Sequence, residues 1–158
     1  MKPIHIPVIL MACVAASCGQ LTDEELWIRA EASKNSGNWD STLHVCRRIL
    51  DEYPDGAYAG WARFGIAESY RFKNMPREAL DNYKMFYERY PNMQPSAVSL
   101  FLIASIYHNN ILNSDSARYY YQRFLERYPN HDLAPTAKTE LEMVRQHPPE
   151  LLRLSPSN

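Results

Sequence analysis

Glu-Arg-Tyr-Pro stands at residues 88–91 and again at 126–129, and the related Asp-Glu-Tyr-Pro stands at 51–54. The three tyrosines, Tyr53, Tyr90 and Tyr128, are spaced by 37 and 38 residues. Because the residue before a proline is disfavoured in the α region, each Tyr-Pro pair predicts the end of a helix. A recurrence of roughly 20–50 residues indicates stacked structural repeats.

The residues before each tyrosine predict the second helix of a repeat. Positions eleven, seven and three residues before the tyrosine are spaced as one face of a helix. They hold Thr42, Ala79 and Ala117; then Cys46, Tyr83 and Tyr121; then Leu50, Tyr87 and Leu125. The small residue at the first position lets two helices approach closely. Cys46 on this face is predicted to be a small buried hydrophobe and not a nucleophile.

Two further positions recur every 37 residues and predict a first helix in each repeat. One position holds Trp27, Phe64 and Phe101, and the other holds Ala30, Ala67 and Ala104. Polar turns follow at 36–40, 73–76 and 112–115. In them Gly37 suits a left-handed helix stop, Asp40 a helix cap and Pro76 a first helical turn.

One further helix, Ala134 to Gln146, has no predicted partner after it and is expected to cap the stack. The repeats are placed at about 23–54, 58–91 and 95–129, and the capping helix at 134–147. Pro148-Pro149 ends this domain of residues 23–147, and 148–158 is predicted to be a loosely held tail.

These residues resemble the tetratricopeptide repeat. Ile66-Ala67-Glu68-Ser69-Tyr70, Ala79, Tyr83 and Pro91 match its pattern, and the third unit matches with one residue inserted in its turn. The resemblance implies an all-α, right-handed superhelical solenoid of about three hairpins plus a capping helix. The first unit diverges, with Thr42 in place of alanine, as is expected of a terminal repeat.

The first 17 residues have the features of a signal peptide: Lys2, an apolar run from Ile4 to Ala16, and small residues before Cys18. The apolar run is too short to span a bilayer, which needs about 20 residues. Ala15-Ala16-Ser17-Cys18 resembles a bacterial lipobox, which implies a lipid anchor on Cys18 and a linker at 18–22. Cys13 is an alternative anchor, and cleavage near Ser17 to give a soluble periplasmic product is another.

A narrower resemblance points to the periplasmic branch of the repeat superfamily. Gly37-Asn38-Trp39, residues 53–58 and Glu68-Ser69-Tyr70 are similar to the lipoprotein subunit of the outer-membrane β-barrel assembly machine. Residues 121–138 are closer to the Tol–Pal-associated division coordinator. This implies a non-enzymatic scaffold that binds other envelope proteins, with an outer-membrane location, more on the periplasmic face than on the cell surface.

Other function classes find little support in the sequence. The net charge is -1 and no stretch is strongly basic, which argues against nucleic acid as a partner. The five histidines lack metal-ligand spacing, and no phosphate-binding loop or nucleophile motif is present. We therefore expect no catalytic residues, no metal, no cofactor and no small-molecule substrate.

The resemblance to tetratricopeptide repeats places partner binding on a concave face lined by the first helices. The residues expected there are Trp27, Glu31, Lys34, Trp61, Phe64, Glu68, Arg71, Phe101, Ser105 and His108. Aromatic side chains flanked by charges suit recognition of a peptide. In the alternative interpretation, Trp27, Phe64 and Phe101 only fill the core between repeats. Trp61 is expected to be exposed, because Glu24 and Val98 at the matching positions form no aromatic ladder with it.

Overall fold

The computed structural model describes residues 20–146, which form a stack of seven α-helices. The helices are α1 (Asp23–Asn35), α2 (Trp39–Glu52), α3 (Ala59–Phe72), α4 (Pro76–Arg89), α5 (Ser96–Ile106), α6 (Ser114–Arg127) and α7 (Ala134–Gln146), with a π-helical turn at Tyr107–Ile111. Each helix packs mainly on its neighbours in sequence. This confirms an all-α solenoid of three hairpins and a final helix. The predicted signal peptide with Cys13 and Cys18, and the tail at 148–158, lie outside the described residues.

The core of each hairpin is built on the predicted face of its second helix. Its small residues are buried, and Cys46, Tyr83 and Tyr121 are fully buried. At the last predicted position, however, Leu50 and Leu125 are only half-buried. The fully buried residues are one position earlier, at Ile49, Phe86 and Phe124. A second helix packs between two first helices, so adjacent positions of its last turn both face the core.

The loop after each Tyr-Pro pair has the same backbone hydrogen bonds in all three repeats. The backbone amide of the third residue after the tyrosine donates to the tyrosine carbonyl. The amide of the sixth residue after the tyrosine donates to the carbonyl of the third. The first bonds join Gly56 to Tyr53, Met93 to Tyr90 and His131 to Tyr128; the second join Ala59 to Gly56, Ser96 to Met93 and Ala134 to His131. One loop geometry therefore sets every step from one hairpin to the next.

Side chains beside the tyrosines connect each loop to the preceding repeat. Arg89 Nη2 donates to Asp55 Oδ1 at 2.9 Å, and Arg127 Nη2 donates to Asn92 Oδ1 at 3.3 Å. The Tyr128 hydroxyl also donates to the carbonyl of Pro91 at 3.3 Å. These bonds join positions about one repeat apart, so they hold the offset between hairpins.

Within residues 20–146 no repeat precedes the first one, which instead binds residues 20–23. The Tyr53 hydroxyl donates to the carbonyl of Leu21 at 2.6 Å, and Gln20 Nε2 donates to Glu52 Oε2 at 3.2 Å. Asp23 Oδ2 accepts the amide of Ala57 at 3.1 Å. Residues 20–23 are therefore attached to the closing loop of the first repeat.

The turns within the hairpins follow the predicted chemistry with one correction. Gly37 has a left-handed φ of 71°, and Pro76 is the first residue of α4, as predicted. Asp40 is not the cap of α2. Asn38 is the cap, because its side-chain oxygen accepts the Ser41 amide at 3.0 Å from just before the helix. Asp40 instead lies in the first turn and pairs with Lys73.

The residue inserted in the third repeat is accommodated by the π-helical turn Tyr107–Ile111. A π-turn holds one more residue than an α-turn before the chain continues in the same direction. Leu112 then takes the left-handed conformation, with a φ of 60°, that Asn74 takes in the second repeat. The insertion therefore leaves the packing register of α5 and α6 unchanged.

Deletion of Asn110, an exposed residue of the π-turn, should convert this turn to the α-helical form of the second repeat. We expect the free energy of unfolding to change by less than about 1 kcal/mol, because buried residues keep their places. The matched control is deletion of Asn74, where no spare residue exists. It should cost more than about 3 kcal/mol through the lost left-handed residue and a shifted register. Urea unfolding followed by circular dichroism measures both, and equal losses would contradict the explanation.

Candidate functional site

A pocket of about 290 Å³ opens between the first helices of the first two repeats, α1 and α3. Its lining residues are Trp27, Glu31, Lys34, Trp61, Phe64, Gly65 and Glu68. All of these except Gly65 belong to the set predicted for the concave face. We call this pocket the groove.

Aromatic rings form one wall of the groove. The Trp27 ring stacks on Tyr58 with centroids 5.9 Å apart and an interplanar angle of 19°. Trp61 packs against Trp27 with centroids 6.2 Å apart, and it is half-buried instead of exposed. The prediction compared Trp61 only with matching positions of other repeats, whereas its aromatic neighbour lies at a different repeat position. Lys34 Nζ lies 5.8 Å from the Trp27 ring centroid and pairs with Glu31.

A network of polar side chains forms the opposite end of the groove. Arg71 donates to Glu68 through Nε at 3.1 Å and Nη2 at 3.0 Å, and its Nε lies 3.2 Å from the Tyr83 hydroxyl. The buried Tyr83 hydroxyl donates to Glu68 Oε1. Burial and the adjacent charge of Glu68 raise the pKa of Tyr83 above its ordinary value, so the phenol remains neutral and donates. Two side chains, Arg71 and Tyr83, thus hold the Glu68 carboxylate in one orientation.

Phe64 and Phe101 occupy equivalent positions but have different surroundings. Phe64 packs on Phe86 with centroids 5.4 Å apart, yet its half-buried ring also lines the groove. Phe101 packs edge-to-face on Tyr121 at 5.7 Å and on Phe124 at 5.8 Å, and it lies outside the groove. Packing in the core therefore describes both residues, and Phe64 in addition offers a surface for binding.

His108 is covered by the last helix. Its Nδ1 lies 3.2 Å from Glu140 Oε2 of α7, and its side chain is only 11% exposed. The structure therefore places His108 outside the groove and against α7, and its part in partner binding stays a prediction. The reason is that α7 packs where the first helix of a fourth repeat would lie, and it carries a carboxylate at the contact. Ser105, on α5, is likewise outside the groove.

Gly65 is the groove residue that the sequence reasoning missed. A Cβ atom at this position would lie 2.9 Å from Cys46 Sγ, which is too close for a normal contact. Glycine inside a helix costs about 1 kcal/mol relative to alanine. A glycine within the predicted first helix therefore indicated that another side chain approaches this position closely. Burial is the main cause that raises the pKa of Cys46 to about 12. The residue is therefore a neutral thiol at neutral pH, as its predicted core position implies.

The groove offers binding surface and fixed polar groups. It combines two indole rings, a phenylalanine ring, and carboxylates paired with Lys34 or Arg71. Across residues 20–146, no group of three or more His, Cys, Asp or Glu side chains could hold a metal ion. This arrangement can enclose an apolar side chain of a ligand while its polar groups bond to the ligand's backbone.

Glu68→Gln should destabilise the domain, because the amide has no charge to offset the Arg71 guanidinium and accepts fewer hydrogen bonds. We expect a loss of about 1–3 kcal/mol in the free energy of unfolding. Glu31→Gln is the matched control on α1. Its side chain is 34% exposed, against 16% for Glu68, so we expect at most about 1 kcal/mol. Urea unfolding tests both variants. An equal cost for the two would mean that the Glu68 network is an ordinary surface ion pair.

Comparison with known proteins identifies the repeats. Residues 61–92 and 98–131 each match the family model described as tetratricopeptide repeat. These ranges span the α3–α4 and α5–α6 hairpins, and the first hairpin, with its divergent residues, lies outside them. A search of curated proteins found no significant match. The α3–α4 and α5–α6 hairpins are therefore similar to tetratricopeptide repeats.

Proposed function

We propose that this protein is a non-enzymatic scaffold that binds a peptide segment of a partner protein in the groove between α1 and α3. Tetratricopeptide repeats are typically a scaffold for protein–protein interaction. The observation that carries the proposal is the contact of Trp27 and Trp61 beside two fixed carboxylate–cation pairs. Tryptophan and arginine are the residue types that most often dominate binding energy at interfaces.

The shape of the groove favours a peptide with an apolar anchor side chain. A volume of about 290 Å³ is at the small end for ligand pockets, which suits one side chain better than a whole cofactor. The Glu31–Lys34 and Glu68–Arg71 pairs lie on α1 and α3. Because both signs of charge are present, they can bond to both N–H and C=O groups of a peptide backbone. The partner would be another protein of the bacterial cell envelope.

Trp61→Ala should weaken partner binding at least tenfold, because loss of a buried interface tryptophan typically costs 2 kcal/mol or more, or about thirtyfold in affinity. The matched control is Ile28→Ala. Ile28 is a large apolar residue of α1, 60% exposed, that lies outside the groove. Cross-linking and affinity capture from envelope extracts measure the binding. Identical partner sets for the two variants, or no specific partner for the wild type, would contradict binding in the groove.

We further propose that the chain is an outer-membrane lipoprotein, anchored through Cys18 and facing the periplasm. The support is the lipobox-like sequence before Cys18 and the small residues at its cleavage position. Within residues 20–146, no helix has the length and apolar character needed to cross a membrane. Two or three acyl chains would give stable attachment, since a single chain binds a membrane only marginally.

Cys18→Ala should release the protein from membranes into the soluble fraction, or leave it unprocessed with its apolar leader attached. Cys13→Ala is the matched control and should leave membrane attachment unchanged. Fractionation with labelling by a radioactive fatty acid measures both outcomes. Continued labelling and processing of the Cys18→Ala protein would exclude this residue as the anchor.

A narrower role is as an accessory subunit of the β-barrel assembly machine or as a Tol–Pal-associated coordinator. Its support is the resemblance of Gly37-Asn38-Trp39 and residues 53–58 to the first, and of 121–138 to the second. The same capture experiment tests it. Absence of every subunit of these two machines among the partners that depend on Trp61 would exclude the narrower role and leave the general one.

A further inference from the structure

A second pocket, of about 270 Å³, lies between the second helices α4 and α6. Its lining residues are Lys84, Tyr87, Glu88, Pro91, Ile103, Tyr120, Arg123 and Arg127. None of these residues lines the groove, which is formed by α1 and α3. We call it the cationic pocket, because three of its side chains are positively charged and one is negative.

Tyrosine side chains hold the three cations in place. Lys84 Nζ lies 4.9 Å from the Tyr107 ring centroid and 2.5 Å from the Tyr107 hydroxyl oxygen. The guanidinium carbons of Arg123 and Arg127 lie 5.6 Å and 5.7 Å from the Tyr87 ring centroid. Cation–π contacts of this kind hold the charge without neutralising it. The cations are therefore positioned but keep their positive charge.

Within residues 20–146, no carboxylate forms an ion pair with any of these three cations. Ion pairs in this range involve Lys34, Arg48, Arg71, Lys73, Arg89, His108, Arg118 and Arg145, and none involves Lys84, Arg123 or Arg127. Arg127 donates instead to the neutral oxygens of Pro91 and Asn92. With Glu88 counted, the pocket keeps an excess of two positive charges, in a chain whose net charge is -1.

Tyr87 adds a buried donor to the same pocket. The residue is 6% exposed, and within the described residues its hydroxyl has no hydrogen bond of regular geometry. The hydroxyls of Tyr119 and Tyr87 raise the pKa of the neighbouring Arg123, which keeps that guanidinium charged. A buried hydroxyl without an acceptor is costly, so a bound anion that accepts a hydrogen bond from Tyr87 would be stabilised.

We propose that the cationic pocket binds the phosphate group of a ligand. A phosphate monoester carries a charge of about -1.5 to -2 at neutral pH and three acceptor oxygens. This matches the excess charge of the pocket and its three separate cationic donors more closely than one carboxylate would. Arginine suits phosphate because its planar donors form paired hydrogen bonds. The phosphate belongs either to a lipid headgroup or to a soluble phosphorylated molecule.

Titration of the full-length protein with inorganic phosphate at constant ionic strength, followed by amide NMR, tests the site. We expect saturable shifts at Tyr87 and Arg127. Arg123→Gln and Lys84→Gln should each weaken binding roughly tenfold, the loss expected for one hydrogen bond to a charged group. Arg77→Gln, which removes an exposed cation from α4 outside the pocket, should change binding less than about twofold. Shifts that do not saturate, or an equal effect of Arg77→Gln, would overturn the proposal.

Further ligands separate the sources of the anion. Tighter binding to phosphatidic acid vesicles, whose headgroup is a phosphate monoester, than to phosphatidylcholine vesicles, lost in Arg123→Gln, would assign a lipid headgroup. Stronger binding of glycerol 3-phosphate than of these vesicles would assign a soluble phosphorylated molecule. Glutarate is the carboxylate control, and tighter binding of glutarate than of phosphate would overturn the assignment. Peptide binding in the groove should be unaffected by Arg123→Gln, so the two sites can fail independently.

Discussion

The loop that follows each Tyr-Pro pair is the constraint on which the rest of the structure depends. Two backbone hydrogen bonds, repeated after Tyr53, Tyr90 and Tyr128, fix how the chain leaves one hairpin and enters the next. A solenoid has no contacts between distant repeats to correct an error, so its shape is the sum of such steps. The groove and the cationic pocket both lie between neighbouring hairpins, and each exists only because this step brings their helices together.

The sequence predicts the fold well because the same residue pattern occurs in three repeats, and each occurrence predicts the same pair of helices. Small residues at Thr42, Ala79 and Ala117, matched in register, can be explained only by close helix packing, and all three are buried. The predictions are wrong where the outcome depends on a contact that the local sequence pattern does not contain. Asn38 and Asp40 are both good capping residues, and only the backbone geometry decides which of them caps.

The candidate site was less predictable for the same reason. Repeat alignment identifies which residues face inward, but not which of them meet across helices. Trp61 meets Trp27 at a different repeat position, His108 meets Glu140 from α7, and Gly65 is required by Cys46. These contacts depend on the angle between helices and on side-chain length. The cationic pocket is a still clearer case, because Lys84 on α4 is 39 residues before Arg123 on α6 and only the packing of the helices brings them together.

The attachment of residues 20–23 to the first repeat has a mechanical consequence. If the chain is held at its amino end, tension reaches the domain through Gln20, Leu21 and Asp23, which bond to Glu52, Tyr53 and Ala57. The load is therefore shared between the first turn of α1 and the junction of the first two hairpins. Three bonds that share a load resist pulling better than one helix end that can unwind. The groove, which lies beside this junction, would keep its shape while the domain moves on its tether.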